Sequence, residues 1–274
     1  MLEVILPSMQ NMTHVYFDHV GLGSAGLRCL SSFLRQNSSL LWLTIYEEEI
    51  DPDVAGVFSN ALSHHPTLEE LGLGNCGLDD SISLQRILDG CERVKSLQFR
   101  QNKIKSASAA AIAGFIGGND AQTESIDVRS NLMSDADVSH FFDSLRKNTT
   151  LKWLHMQRNE LTDEGKRKML NAIHDTTDVA SIVRSNHTCN LDLFEEDLFE
   201  ESSPPVNFRR EMAMKSVNAD LGLSIDQRIR EKVVFALCDK PAILSSLLCH
   251  LDESPLGLVP HVLALIQEGQ KYYQ

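Results

Sequence analysis

The feature that most constrains this chain is an internal period. Segments open at Met12, Leu40, Leu68, Val94, Thr123, Leu151 and Val179, at spacings of 28, 28, 26, 29, 28 and 28 residues. Three residues after the openings stand Val15, Leu43, Leu71, Leu97, Ile126, Leu154 and Ile182, and two further on stand Phe17, Ile45, Leu73, Phe99, Val128 and Met156. Apolar residues at every second position mark a short strand with one buried face. Another recurs ten residues after each opening, from Leu22 and Ile50 to Leu161 and Cys189.

A helical signal follows each strand. Asp51 then Pro52 supply an N-cap and a first helical residue, Ser134 precedes Asp137 by three residues, and Thr162 stands before Asp163 and Glu164. The apolar faces that follow are of the type Val138, Phe141, Phe142, Leu145 or Met169, Leu170, Ile173. A unit this small cannot bury its own apolar face, so successive units must stack, which makes the strands parallel and adjacent. The period predicts an α/β solenoid: a horseshoe with seven parallel strands on the concave face, helices on the convex side and a helical C-terminal cap.

The segments LEELGLGNCGL (68–78), VKSLQFRQNKI (94–104) and LKWLHMQRNEL (151–161) resemble the leucine-rich repeat LxxLxLxxN/CxL. A length near 28 residues with a helix in every unit is similar to the ribonuclease-inhibitor subclass of that family. The resemblance implies that an Asn or Cys eight residues into each unit satisfies backbone groups in the turn leaving the strand, a place filled by Cys76, Asn102, Asn131 and Asn159. Val20, Glu48 and His187 depart from it, which predicts irregular first, second and last turns. Arg184, where an apolar residue is expected, predicts an incompletely formed last strand.

Four regions follow: a partial N-terminal repeat over 1–11, about seven repeats over 12–190, an acidic linker over 191–205 and a helical cap over 206–274. Met1 to Gln10 reads as the tail of a preceding helix, so the array opens without an evident polar cap. The linker LDLFEEDLFEESSPP holds six acidic residues and no basic one. Beyond it, Ile225, Ile229, Val233 and Leu237 recur every four residues, and Pro241 can start a further helix.

Charge and motifs limit the function classes. The formal net charge of −13 argues against general nucleic-acid binding, which needs a Lys/Arg surplus. Its distribution is uneven: residues 1–92 carry 13 acidic and 3 basic side chains, whereas 93–190 carry 11 and 14. No apolar stretch approaches the roughly 20 residues that cross a bilayer, and Glu3 stands where a secretory signal carries Lys or Arg, so a cytoplasmic protein without membrane contact is expected. Six cysteines without a CxxC pair read as reduced thiols. The Asn-x-Ser/Thr matches at Asn11, Asn37, Asn148 and Asn186 then read as turn residues. No Walker loop, HExxH or GxSxG is present, a GxGxxG loop is likewise not expected, and neither a metal site, a cofactor nor an enzyme activity is expected.

The informative residues are those two, four, six and seven positions after each opening, which period-two geometry turns toward the concave face. They include Tyr16; Trp42, Tyr46 and Glu47; Gly72 and Gly74; Gln98 and Arg100; Asp127 and Arg129; Trp153, His155 and Arg158. Both tryptophans of the chain fall in this set. Aromatic residues and Arg concentrate binding energy at protein interfaces, so Tyr16, Trp42, Tyr46, Glu47, Arg100, Asp127, Arg129, Trp153, His155 and Arg158 form the expected partner-binding face. Arg100, Arg129 and Arg158 read either as a basic track or as local partners of Asp127 and other carboxylates.

The leading expectation is a scaffold that grips a partner protein on its concave face. One alternative, implied by similarity to the Ran GTPase-activating protein, is a GTPase-activating regulator. Another is a sensor fragment of a larger immune-type receptor.

Overall fold

The computed structural model describes residues 6, 11–118, 121–175, 177, 179–193, 224–225, 227–229 and 232. Seven strands, β1 (His14–Asp18), β2 (Trp42–Tyr46), β3 (Glu70–Gly74), β4 (Ser96–Gln98), β5 (Ser125–Asp127), β6 (Trp153–His155) and β7 (Asn190–Asp192), lie in sequence order in one parallel sheet. The helices are α1 (Gly23–Gln36), α2 (Pro52–Ser63), α3 (Ser81–Asp89), α4 (Ser106–Gly117), α5 (Val138–Lys147), α6 (Asp163–Ile173) and α7 (Val179–Arg184). From α1 to α6 each helix packs against the next, and the core lies between this layer and the sheet.

Register follows the sequence period. Val15, Leu43, Leu71, Leu97, Ile126 and Leu154 pair in one row across β1–β6, and the last five of these are at most 1% exposed. A slip of one residue would turn that whole row to solvent. Asp51 caps α2 by accepting from Val54 N at 2.8 Å, with Pro52 in its first turn, and Thr162 caps α6 by accepting from Gly165 N at 3.3 Å. Ser134 and Asp137 are arranged differently from a helix start at Ser134. Asp137 accepts from Ser134 N, Ser134 Oγ and, across the repeat boundary, Ser106 N at 2.7 Å, and the helix begins after it.

Two side-chain ladders join the repeats. At the strand exits, Asn102 Oδ1 accepts from Cys76 N at 2.7 Å and Leu78 N at 3.3 Å, while its Nδ2 donates to Leu73 O and Arg100 O. Asn131 repeats this one unit on, accepting from Asn102 N and Ile104 N and donating to Phe99 O and Val128 O. Asn159 then takes Met133 N. The expected irregularity at Glu48 is not found. Its carboxylate, 4% exposed, accepts from Leu22 N at 2.7 Å and Gly23 N at 3.2 Å, so it serves the same purpose for the first turn.

At the helix-to-strand returns, Asn37 accepts from Leu40 N, Asn148 from Leu151 N and Asn186 from Cys189 N, each at 2.7 Å. All three are buried, so these Asn-x-Ser/Thr matches act as turn residues. His65 takes the same place in the second return, its Nδ1 accepting from Leu68 N at 3.1 Å. Burial pushes its pKa down, which keeps the ring neutral as an acceptor must be.

The seventh unit departs from the expected period. Val179–Arg184 is a helix rather than a strand, and Ile182 is buried within it. The seventh strand comes later, with Leu191 beside Leu154, 37 residues on. Val179, Ile182 and Val183 have helical as well as strand spacing, and the ladder decides between them: Asn186, not His187, engages the turn amides, and the strand starts only after it. The linker boundary drawn at 191 therefore falls inside β7. Of 206–274, Arg228 and Lys232 meet the end of the repeats. Arg228 donates to His187 O at 3.1 Å, and the fully buried Lys232 ammonium donates to Ile173 O and Asn186 O, each at 2.7 Å. Burial pushes the Lys232 pKa down to about 7. Of that segment all but 224–225, 227–229 and 232, and of 1–11 all but Leu6 and Asn11, lies outside the described residues.

Replacing Asn131 with Ala strands two buried amides and at least one carbonyl, and unsatisfied buried groups cost about 1–3 kcal/mol each. Urea unfolding is expected to show Asn131→Ala destabilised by at least about 2 kcal/mol, with the exposed control Asn11→Ala within about 0.5 kcal/mol.

Candidate functional site

Positions six and seven of a unit are consecutive, and a straight strand would turn them to opposite faces. Here the seventh residue of six successive units has a left-handed backbone: His19 (φ 54°), Glu47 (60°), Asn75 (49°), Gln101 (59°), Ser130 (56°) and Arg158 (57°). That conformation is uncommon for residues other than glycine, and its recurrence is imposed by the turn the ladder holds. It also brings position-seven side chains of neighbouring strands together, as His19 Nε2 and Glu47 Oε2, 2.5 Å apart, show.

A trough of about 350 Å³ opens on the concave face over β1–β4, lined by His14, Tyr16, Trp42, Thr44, Tyr46, Gly72, Gly74, Gln98 and Arg100 among others. Tyr16 is 63% and Trp42 40% exposed, so the two aromatics present apolar surface to solvent. Trp42 meets His14 edge-on, with ring centroids 5.6 Å apart. Strand β3 contributes no side chain at its two middle outward positions. A Cβ at Gly72 would stand 2.9 Å from Thr44 Oγ1, and one at Gly74 2.4 Å from both Cδ2 and Cε2 of Tyr46. Tyr46 therefore leans over β3 into space that only glycine leaves open. Burial first, then the charges of Glu47 and Asp18, raise the Tyr46 pKa, which places both carboxylates near its ring.

The other half of the face is organised by Asp127, 4% exposed. Arg100 Nε donates to its Oδ2 at 2.5 Å, and Arg129 donates through Nε at 3.0 Å and Nη2 at 2.7 Å. Two of the three arginines thus share one carboxylate, which is the local pairing rather than an open basic track. Further on, Trp153 stacks on His155 with planes 3° apart, and His155 Nδ1 lies 2.5 Å from Asp192 Oδ2 on β7. Arg158 is exposed at the exit of β6. The ten sequence candidates fall into a trough group (Tyr16, Trp42, Tyr46, Arg100), an ion cluster (Arg100, Asp127, Arg129) and an edge group (Trp153, His155), with Glu47 paired to His19 at the exit of β2 and Arg158 at the rim. His14, Thr44, Gly72, Gly74 and Gln98 join the trough but were not among those ten. Two glycines at alternate outward positions of one strand are the signal that marks it.

One motif escaped the sequence reading. The GxGxxG spacing of dinucleotide-binding loops occurs at Gly21, Gly23 and Gly26, from the turn after β1 into the first turn of α1, and again at Gly72, Gly74 and Gly77. In each case the amides nearest the motif are already taken: Leu22 N and Gly23 N by Glu48, and Cys76 N and Leu78 N by Asn102. A phosphate there would displace a buried carboxylate in the first loop and break the ladder in the second. Among the described residues no three His, Cys, Asp or Glu side chains are grouped to hold a metal ion, and no helix is long and apolar enough to cross a membrane. Burial pushes the Cys76 thiol up to about 11 and raises Cys91 and Cys189 as well, which leaves them little thiolate character.

The stacked strand–helix units, the buried Leu rows and the Asn ladder decide the family, and a model described as Leucine Rich repeat matches residues 147–168. The chain is a leucine-rich-repeat protein. A curated relative of these repeats is the NACHT, LRR and PYD domains-containing protein 4C of Mus musculus, 25% identical over 149 residues. The match covers 53% of this chain, and the chain spans only 15% of that protein's length. Among solved structures, the leiomodin-1 actin-binding site 2 matches with a TM-score of 0.41 at 13% identity, over 74% of this chain and 93% of that one. Leucine-rich-repeat domains are generally protein-interaction scaffolds and typically non-catalytic.

Burial, the largest single influence on Asp127, pushes its carboxyl up, but the Arg129 hydrogen bonds and the Arg100 charge outweigh it and hold the carboxyl below its ordinary value. A depressed folded pKa means stability that is present above the unfolded value of about 3.9 and lost as pH falls through the folded one. Since both guanidiniums are partly exposed, the expected advantage of wild type over Asp127→Asn at neutral pH is about 1 kcal/mol. Urea unfolding at stepwise lower pH is expected to show that gap narrowing below about pH 4; a constant gap contradicts the assignment.

Proposed function

We propose that this protein is a binding module that holds a partner protein on its concave face, anchored at the trough over β1–β4. The observation that carries the reading is the exposure of Tyr16 and Trp42 beside a glycine-floored depression. Large exposed aromatics at a concavity give rigid contact area at small entropic cost, and such residues dominate measured interface energies. The parallel sheet holds the face in shape, so little ordering is needed on binding. Trp153 and His155 extend the surface toward β7, where their stacking makes them a flatter, more covered contact.

A second reading draws on the match to a NACHT, LRR and PYD domains-containing protein: the repeats would serve as the sensing region of a larger receptor. A transcript encoding further domains in frame with Met1 supports it, and a mature transcript with a stop codon directly upstream counts against it.

Affinity capture from the native cell, followed by titration of the captured partner, tests the concave-face reading. Trp42→Ala is expected to weaken binding by about 2 kcal/mol with thermal stability retained, while Lys166→Ala on α6 leaves affinity unchanged. Loss of binding in the Lys166 variant with normal binding by Trp42→Ala places the interface on the convex side instead.

A further inference from the structure

We propose that the trough over β1–β4 receives a Lys or Arg side chain from a basic segment of the partner. This rests on the concave-face reading above and adds the chemistry of the occupant. The outward positions of β1–β3 and their exit residues include Asp18, Glu47 and Glu70 as carboxylates, no Lys or Arg, and His19, whose ring lies 2.5 Å from Glu47 and 3.8 Å from Asp18. The trough beside them presents Tyr16, Trp42 and Tyr46. Aromatic faces together with nearby carboxylates suit a cation, through ring quadrupole and Coulomb attraction at once.

The alternatives fit less well. An apolar side chain would strip water from Asp18 and Glu47 and offer nothing in return. A carboxylate would meet like charge from three acids. Arg100 on the far wall does not reverse this, because its Nε is held by Asp127 at 2.5 Å and that carboxylate also neutralises part of Arg129. The field therefore runs from acidic at β1–β3 to mildly basic at β4–β5, and an incoming cation settles at the aromatic end. The wider charge pattern agrees: 13 acidic against 3 basic residues over 1–92 steer a basic segment to this half of the molecule.

The test uses the full chain, 15N-labelled at its two tryptophans, and four acetylated, amidated pentapeptides, Gly-Gly-Xaa-Gly-Gly, with Xaa as Arg, Lys, norleucine or Glu. The Trp42 indole signal is assigned with Trp153→Phe. Saturable shifts of that signal by the Arg and Lys peptides are expected, with the norleucine and Glu peptides at least tenfold weaker. In Glu47→Gln, the Arg peptide is expected to bind several-fold more weakly and with a shallower salt dependence, the fold being checked by circular dichroism. A Glu peptide that binds best, a norleucine peptide equal to Arg, or no saturation by Arg and Lys each overturns the proposal. Should that happen while Trp42→Ala still weakens capture of the native partner, the concave-face reading stands and only the cationic occupant is lost. Unimpaired capture by Trp42→Ala removes the reading itself.

Discussion

The structure depends on one recurring interaction: backbone amides of the turns leaving β1, β3, β4 and β5 are handed to a side chain of the next repeat, and after β2 Ile50 N is handed to the carbonyl of Cys76. Asn102 takes those after β3, Asn131 those after β4, Asn159 one after β5, and the Glu48 carboxylate those before α1. A buried amide without an acceptor is costly, so each turn is stable only when the following unit is in place and in register. Stacking is thereby an obligation and not merely an outcome of apolar burial. On the return side of the sheet Asn37, His65, Asn148 and Asn186 take amides three residues on within their own turns, and Asn148 and Asn186 also donate to carbonyls of the preceding unit.

Everything on the concave face inherits that register. Because a left-handed residue stands at the exit of each strand from β1 to β6, positions six and seven both stay near the rim, and neighbouring repeats present equivalent side chains side by side. Whether such neighbours form a site depends on their size and charge. Where β3 offers two glycines, Thr44 and Tyr46 lean across and a trough opens. Where β4 and β5 offer Arg100, Asp127 and Arg129, the side chains satisfy one another and the surface closes into an ion cluster. The same scaffold thus yields an open, acidic, aromatic half and a self-paired half, and recognition of a partner is proposed at the open one.

The sequence by itself determined the parts that rest on local periodic signals. Alternating Val, Leu and Ile set the buried row and hence the parallel register, and helix starts such as Asp51–Pro52 and Thr162 were legible because capping is a matter of three or four adjacent residues. The turn role of Asn102 and Asn131 was visible through the family resemblance, and that of Asn37, Asn148 and Asn186 through Asn-x-Ser/Thr matches in a chain without a recognisable secretory signal. The outward positions of both tryptophans, exposed Trp42 and half-buried Trp153, followed from counting along the strand.

What only the tertiary structure decided were the contacts between units, some 26 to 41 residues apart in the chain. Val179–Arg184 satisfies strand and helix spacing alike, and Asn186 reaching Leu145 O and Asn148 O is what delays the last strand to Asn190. Glu48 looked like a defect until its carboxylate was seen against Leu22 N and Gly23 N, and the same contact occupies a glycine motif that otherwise suggests phosphate. Arg100 and Arg129 were two cations in the sequence and became one shared pairing around Asp127. Periodicity specifies which face a residue takes, but the charge it keeps and the space beside it are set by neighbours one repeat away, and those are fixed only when the repeats stack.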